Sequence, residues 1–291
     1  MSPAPGPRLP AATRVGGVRL AVADLERSVA FYRRVLGMSV LEDAAGRADR
    51  ASLGPAGGEA LVELHEHPGA AAVPRRGRLG LFHFAILLPD RPALGRFLRH
   101  LGELGVRPGA SDHLVSEALY LNDPDGLGIE VYADRPRSEW RERNGELVMA
   151  TEPLDTKSLL DAAPTGRAWD GMLADTTMGH VHLHVGDIER ASAFYHEALG
   201  LDRTAWSYPG ALFLSAGGYH HHLGLNTWAA GAPPAGEGDA RLLEWEMIVP
   251  TADDADAALG GLEAAGHEVE RDADGGLVRD PWGTALRVRV A

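Results

Sequence analysis

The chain has 291 residues, with 28 Lys and Arg against 41 Asp and Glu and a formal charge of −13, so nucleic acid and anionic membranes are not expected partners. It contains no Cys, which excludes disulfides, thiolate metal ligands and a Cys nucleophile and fits a reducing cytoplasm. No apolar run is long enough to span a bilayer, while the length suffices for two full cores.

Residues 1–13 lack an apolar stretch of the signal-peptide kind and are expected to form a disordered tail. In residues 17–38, Val18, Leu20 and Val22 alternate as in a half-buried strand. Leu25, Val29, Tyr32 and Leu36 then share one helical stripe. Asp24 stands at the N-cap position and Gly37 closes the helix. The tract EALVELHEH supplies a further strand, and residues 81–105 again read as strand then helix, ahead of DPDGLGIEVY from Asp123. Residues 134–177, rich in Pro and charge, read as a connector with one helical piece, DTKSLLDAA.

Residues 180–201 repeat residues 17–38 with half the positions identical, so the chain is built twice from one unit. The copies differ where Gly17, Arg19 and Ala21 become His180, His182 and His184, three histidines on one face of one strand. Residues 242–266 align with 81–105, and DPWGTALRVR from Asp280 aligns with DPDGLGIEVY. The chain therefore holds four βαβββ-like modules of roughly 50–60 residues. Phe31–Tyr32 and Phe194–Tyr195 read as helix-to-sheet packing.

The GHVHLHVGDIERASAFY opening, the DPDGLGIEVYADRP ending and GGYHHHLGLNTW resemble the vicinal oxygen chelate superfamily, and within it the two-domain catechol 2,3-dioxygenase-like and glyoxalase/bleomycin-resistance-like proteins. The resemblance runs from residue 14 to residue 290. It implies an α+β fold of tandem βαβββ modules in two domains, residues 14–133 and 178–291, joined by the connector. It does not single out a reaction, since the superfamily includes dioxygenases, isomerases, epimerases, thiol transferases and metal-free binding proteins.

In this family two modules curl into a cup with four inward positions that can hold one divalent metal. Pairing modules within each half puts His180, His222, Glu244 and Arg287 at those positions in the second half. A one-residue slip would exchange His222 for His221. His180, His222 and Glu244 form the two-imidazole, one-carboxylate set that favours Fe(II), with Mn(II), Ni(II) and Zn(II) compatible. The first half offers Gly17, Glu63, His83 and Glu130, a harder set suited to Mn(II) or Fe(II), and keeps His113 and Tyr120 ahead of Glu130, where catechol-cleaving relatives place substrate-flanking residues. The second cup is preferred because His180, His182, His184, His220 and His222 gather there with Asn226, Tyr219 and Trp228 as walls. Ordinary readings stand beside these: Glu244–Arg287 as an ion pair closing a dead cup, His83–Glu130 as a hydrogen-bonded remnant, and His65, His67, His100 and His267 as surface or core histidines.

The resemblance and the ligand set together imply extradiol cleavage of a small aromatic vicinal diol by Fe(II) and O₂. His220 or His182 would serve as acid or base, and Arg287 would brace Glu244 or meet a substrate anion. The alternatives are a glyoxalase-like isomerase or lyase with a redox-inert metal, and a metal-free small-molecule binder. Homo-oligomerisation is left open.

Overall fold

The structure, a computed structural model, describes residues 6–41, 48–74, 77–164, 166 and 169–291. The first module comprises β1 (Arg14–Val22), α1 (Leu25–Phe31), β2 (Ser39–Leu41), β3 (Arg50–Gly54) and β4 (Val62–Glu66). The second comprises β5 (Gly80–Leu87), α2 (Arg91–Glu103), β6 (Gly109–Asp112), β7 (Ser116–Asn122) and β8 (Gly128–Asp134). The connector carries a small hairpin, β9 (Glu142–Arg143) and β10 (Glu146–Leu147), followed by α3 (Thr156–Ala162). The third module has β11 (Thr177–His184), α4 (Ile188–Ser192), β12 (Asp202–Ala205), β13 (Ala211–Ser215) and β14 (Leu223–Asn226). The fourth has β15 (Arg241–Val249), α5 (Ala252–Ala264), β16 (Val269–Asp272), β17 (Gly275–Arg279) and β18 (Ala285–Val290).

Each module helix starts at a side-chain cap. The Asp24, Asp90 and Asp187 carboxylates accept from the amides of Arg27, Ala93 and Arg190, and Thr251 forms a reciprocal capping box with Asp254. Losing such a cap costs about 1 kcal/mol. α1 and α4 continue as one wider π-helical turn, Tyr32–Leu36 and Ala193–Ala198. Both tyrosines are fully buried. Tyr32 donates to Asp123 at 3.5 Å and Tyr195 to Asp280 at 3.0 Å, tying each helix to the DP turn of the other module in its half.

The strand order is where the structure departs from the within-half reading. One eight-stranded sheet runs β16-β17-β18-β15-β1-β4-β3-β2 and the other β12-β13-β14-β11-β5-β8-β7-β6. Each curled sheet thus takes one module from each half, the first with the fourth and the second with the third, and neither half closes a cup of its own. The opening strands of the paired modules meet antiparallel at each sheet's centre, β1 with β15 and β5 with β11. One continuous apolar core, including Leu20, Tyr32, Phe84, Phe97, Val181, Tyr195 and Trp245, joins both sheets to the helices. The α+β fold of four βαβββ modules is as expected; the pairing of the modules is not.

The tail expected to be disordered, residues 1–13, is described only from residue 6. Residues 1–5 lie outside the described residues, but Leu9 is buried and its amide donates to the Gly200 carbonyl at 2.9 Å. Among the described residues no helix is long and apolar enough to cross a membrane.

Candidate metal centre

The exchange of modules brings together histidines that lie far apart in the chain. Across the β5–β11 seam His182 faces His83 and His180 faces Ala85, with register irregularities on either side of this stretch. β8 runs parallel to β5 with Glu130 opposite Ala85, and Tyr120 on β7 lies opposite Glu130. Strand alternation sends Phe84, Ile86 and Val131 into the core, so His83 and Glu130 face the concave side with His180.

His83 Nε2 lies 3.0 Å and His180 Nε2 3.4 Å from Glu130 Oε2, and the two nitrogens are 3.3 Å apart. Among the described residues this is the group of three with metal-ligand chemistry, its donor atoms all within 4.8 Å of one another and all three residues buried. Burial pushes the His180 imidazole down to about 4, against the opposing pull of Glu130. Burial alone would raise Glu130, but His180 and His83 together hold it well below the usual carboxylate range. At neutral pH the cluster is therefore an ionised carboxylate between imidazoles, of which His180 is neutral. His180 Nδ1 is buried without a hydrogen-bond partner. Two imidazole nitrogens and a carboxylate oxygen at these separations form a donor set that one divalent cation would satisfy together.

The cluster forms the floor of a cavity of about 300 Å³. On one side Tyr120 Oη is 2.5 Å from His113 Nε2, and His113 Nδ1 donates to the Ala150 carbonyl at 2.7 Å. Burial and the Glu130 charge raise the Tyr120 phenol well above its ordinary value, so it stays protonated. On the other side the His221 ring lies 4.1 Å from that of His180 and also lines the cavity. His182 completes the imidazole lining. Its Nε2 accepts from Asn226 Nδ2 at 3.0 Å, while Asn226 Oδ1 accepts from His184 Nδ1 at 2.6 Å. Gly224 lies opposite His182 in β14, where any Cβ would sit 2.8 Å from the ring.

The structure separates the ligand set preferred from sequence. His180 is at the cluster, but His222 precedes β14, its Nδ1 accepting from the Ala216 amide at 3.1 Å, and it does not line the cavity. Strand parity fails for the HHH run because Leu223 is the first residue of β14. Glu244 and Arg287 are in the other sheet. Glu244 accepts from Arg19 at 2.8 Å and from Arg287 at 2.9 Å, and Arg287 also pairs with Asp272 at 2.5 Å. Glu63 of the alternative set is there too, bonded to Arg19 at 2.9 Å and His65 at 2.5 Å, while its partners His83 and Glu130 stand in the cluster. That sheet's concave face is thus filled by an arginine–carboxylate network. His220, expected as an acid or base, is fully buried and absent from the cavity lining: its Nε2 donates to Asp134 at 2.9 Å and its Nδ1 meets His221 Nδ1 at 2.8 Å. His182, His113 and Tyr120 do line the cavity.

Other wall residues carried no signal in the sequence. Met149, Ala150 and Thr151 come from the connector and join Phe82, Tyr208 and Phe213 around the opening. The connector is pinned there by Glu146, which accepts from the amides of Trp206 and Ser207 at 2.5 Å, and by Thr151 Oγ1, 3.0 Å from Tyr208 Oη.

The sequence model of the Glyoxalase/Bleomycin resistance protein/Dioxygenase superfamily matches residues 14–131 and 177–288. A catechol-2,3-dioxygenase of Bacillus subtilis (strain 168) is 45% identical over 274 residues, 92% of this chain and 94% of that protein. Among solved structures, a putative dioxygenase from Bacillus subtilis subsp. subtilis str. 168 superposes with a TM-score of 0.65 at 15% identity, covering 95% of this chain and 84% of that one. Glyoxalase I from Zea mays superposes with a TM-score of 0.57 at 18% identity, covering 96% and 92%. At these identities the structural likeness is one of fold.

Proposed function

Because the chain belongs to the Glyoxalase/Bleomycin resistance protein/Dioxygenase superfamily, we propose that it is an extradiol-type dioxygenase that opens the ring of a small aromatic vicinal diol with O₂. The observation that carries this reading is the convergence of His83, Glu130 and His180 on the floor of an aromatic-walled cavity. The 45% identity to a catechol-2,3-dioxygenase over nearly the whole chain supports it. His83, Glu130 and His180 would hold the ion, Fe(II) in this proposal. Bound by two imidazoles and one carboxylate, it would supply Lewis acidity and coordination positions for both diol oxygens and O₂.

The remaining residues bind, orient and move protons. Asp134 accepts from His220 Nε2–H, so His220 Nδ1 carries a lone pair and accepts from His221 Nδ1–H. That leaves His221 Nε2 as an unprotonated acceptor for a substrate hydroxyl proton, and burial lowers the ring's pKa so that it is neutral before reaction. On the opposite side His113 Nε2 accepts from the Tyr120 hydroxyl, which leaves the phenol oxygen to accept a hydrogen bond from a diol hydroxyl. Phe82, Met149 and Phe213 exclude water from the ring.

The test is oxygen uptake by protein loaded anaerobically with Fe(II) and then given catechol. Consumption equimolar with catechol and a ring-opened hydroxy-semialdehyde are expected. Iron-loaded protein that consumes no O₂ would refute the reading and leave a non-oxidative reaction at the same centre.

A further inference from the structure

We infer that the ring substituents of the substrate are uncharged and apolar, and that the wall formed by Met149, Tyr208, Phe213 and Trp228 sets this preference. This rests on the reading of the cavity as the site of a vicinal diol. A diol chelated at the floor directs the far edge of its ring away from His83, Glu130 and His180 and toward the rest of the lining. There the cavity offers a thioether and three aromatic rings. Phe213 lies in a small apolar cluster with Ala205 and Ala211, against which Met149 and Tyr208 pack. The Tyr208 and Phe213 rings meet edge to face at 6.1 Å, and Trp228 closes the side toward Phe82 at 5.5 Å.

Among the described residues lining the cavity there is no Lys or Arg. The charge of a divalent ion at the floor would be offset by Glu130 and the diol oxygens. A carboxylate on the ring would lose its hydration and gain no cation, and the transfer of such a group is costly. An alkyl group of the same shape would gain contact with the wall. The cavity volume of about 300 Å³, at the small end for ligand sites, suits one ring with a short side arm.

The experiment compares 4-isopropylcatechol with 3,4-dihydroxybenzoate, whose substituents are alike in shape and differ in charge. Dissociation constants are measured by anaerobic calorimetry on the Fe(II)-loaded protein, so that reactivity toward O₂ does not enter, and on the metal-free protein, so that the ring's effect on chelation does not either; O₂ uptake is recorded separately. The isopropyl compound is expected to bind roughly 100-fold more tightly. Met149→Arg, or Thr151→Arg should the first variant fail to fold, is expected to narrow that ratio at least tenfold by tightening the benzoate. Affinities within about threefold of each other in the wild type, or a ratio unmoved by a folded arginine variant, would overturn the inference. A strong preference in binding without O₂ uptake from either compound would uphold this inference while removing the dioxygenase reading.

Discussion

Replacing Glu130 with Gln separates the metal site from the fold that carries it. Glu130 is 2% exposed and its Oε2 lies 3.0 and 3.4 Å from the nitrogens of His83 and His180. In the metal-free protein, Gln keeps an oxygen to accept from His83 and adds an N–H that can reach His180, so the cost to stability is roughly 1 kcal/mol. The metal loses its anionic ligand, and affinity should fall 100-fold or more. A cation at one hundred times its wild-type Kd stabilises the folded state by about 2.7 kcal/mol, and a hundredfold loss leaves about 0.4 kcal/mol. At roughly 2–4 °C per kcal/mol, a metal-induced rise in Tm of about 5–10 °C should nearly vanish. Differential scanning fluorimetry with and without Mn(II) reads this, with Glu244→Gln as control. The control keeps an oxygen for both arginines but loses the carboxylate charge they pair with, at a cost of about 1–3 kcal/mol, and should keep the metal-induced shift. A full shift in Glu130→Gln together with its loss in Glu244→Gln would refute the placement of the site.

Tyr120→Phe removes the hydroxyl beside His113 and should lower kcat by roughly 100-fold at unchanged metal content; steady-state O₂ uptake beside a metal assay checks it, and an unchanged kcat would remove Tyr120 from the chemistry. Gly224→Ala places a Cβ 2.8 Å from the His182 ring and should cost about 1–3 kcal/mol in urea unfolding, whereas a neutral result would mean that His182 moves freely. Burial holds His180 at about 4 and His222 at about 3, both below the 6.5 of a solvated imidazole, so the unfolded chain binds more protons below pH 6.5. The metal-free protein should therefore lose stability as pH falls from 6.5 to 4 and further to about 3. Urea midpoints that stay level from pH 6.5 to 4.5 would contradict this. Arg287→Glu sets a carboxylate against Glu244 and Asp272 and should destabilise the fold without adding bound metal, as dialysis and metal analysis would show.

The repeats in the sequence made four βαβββ modules legible, and the histidines of β11 pointed to His180, which stands in the buried cluster. The helix caps and the DP turns were equally readable, because each depends on a few neighbouring residues. Which modules share a sheet was not, since β1 could pair with β5 or β15 using the same alternation. The signal was present in the charges: Arg19 and Glu63 complement Glu244 and Arg287 across the first and fourth modules, leaving His83, Glu130 and His180 to the second and third. The HHH run misled for a local reason. Gly217 and Gly218 take positive φ values of 63° and 67°, and the turn they make precedes β14, so alternation counted back from Asn226 does not reach His222. Met149 was illegible because the connector looks like a linker, and only its anchoring through Glu146 and Thr151 brings it to the cavity.

The central claim is that one divalent ion is held by ligands from both halves of the chain. Anomalous diffraction at the metal edge from crystals of Fe(II)- or Mn(II)-loaded protein tests it most directly. The account requires one peak per chain, bonded to His83, Glu130 and His180, with nothing between Glu244 and Arg287. A peak among Glu63, Glu244 and Arg287, or one ligated by His222 in place of His83, would contradict it.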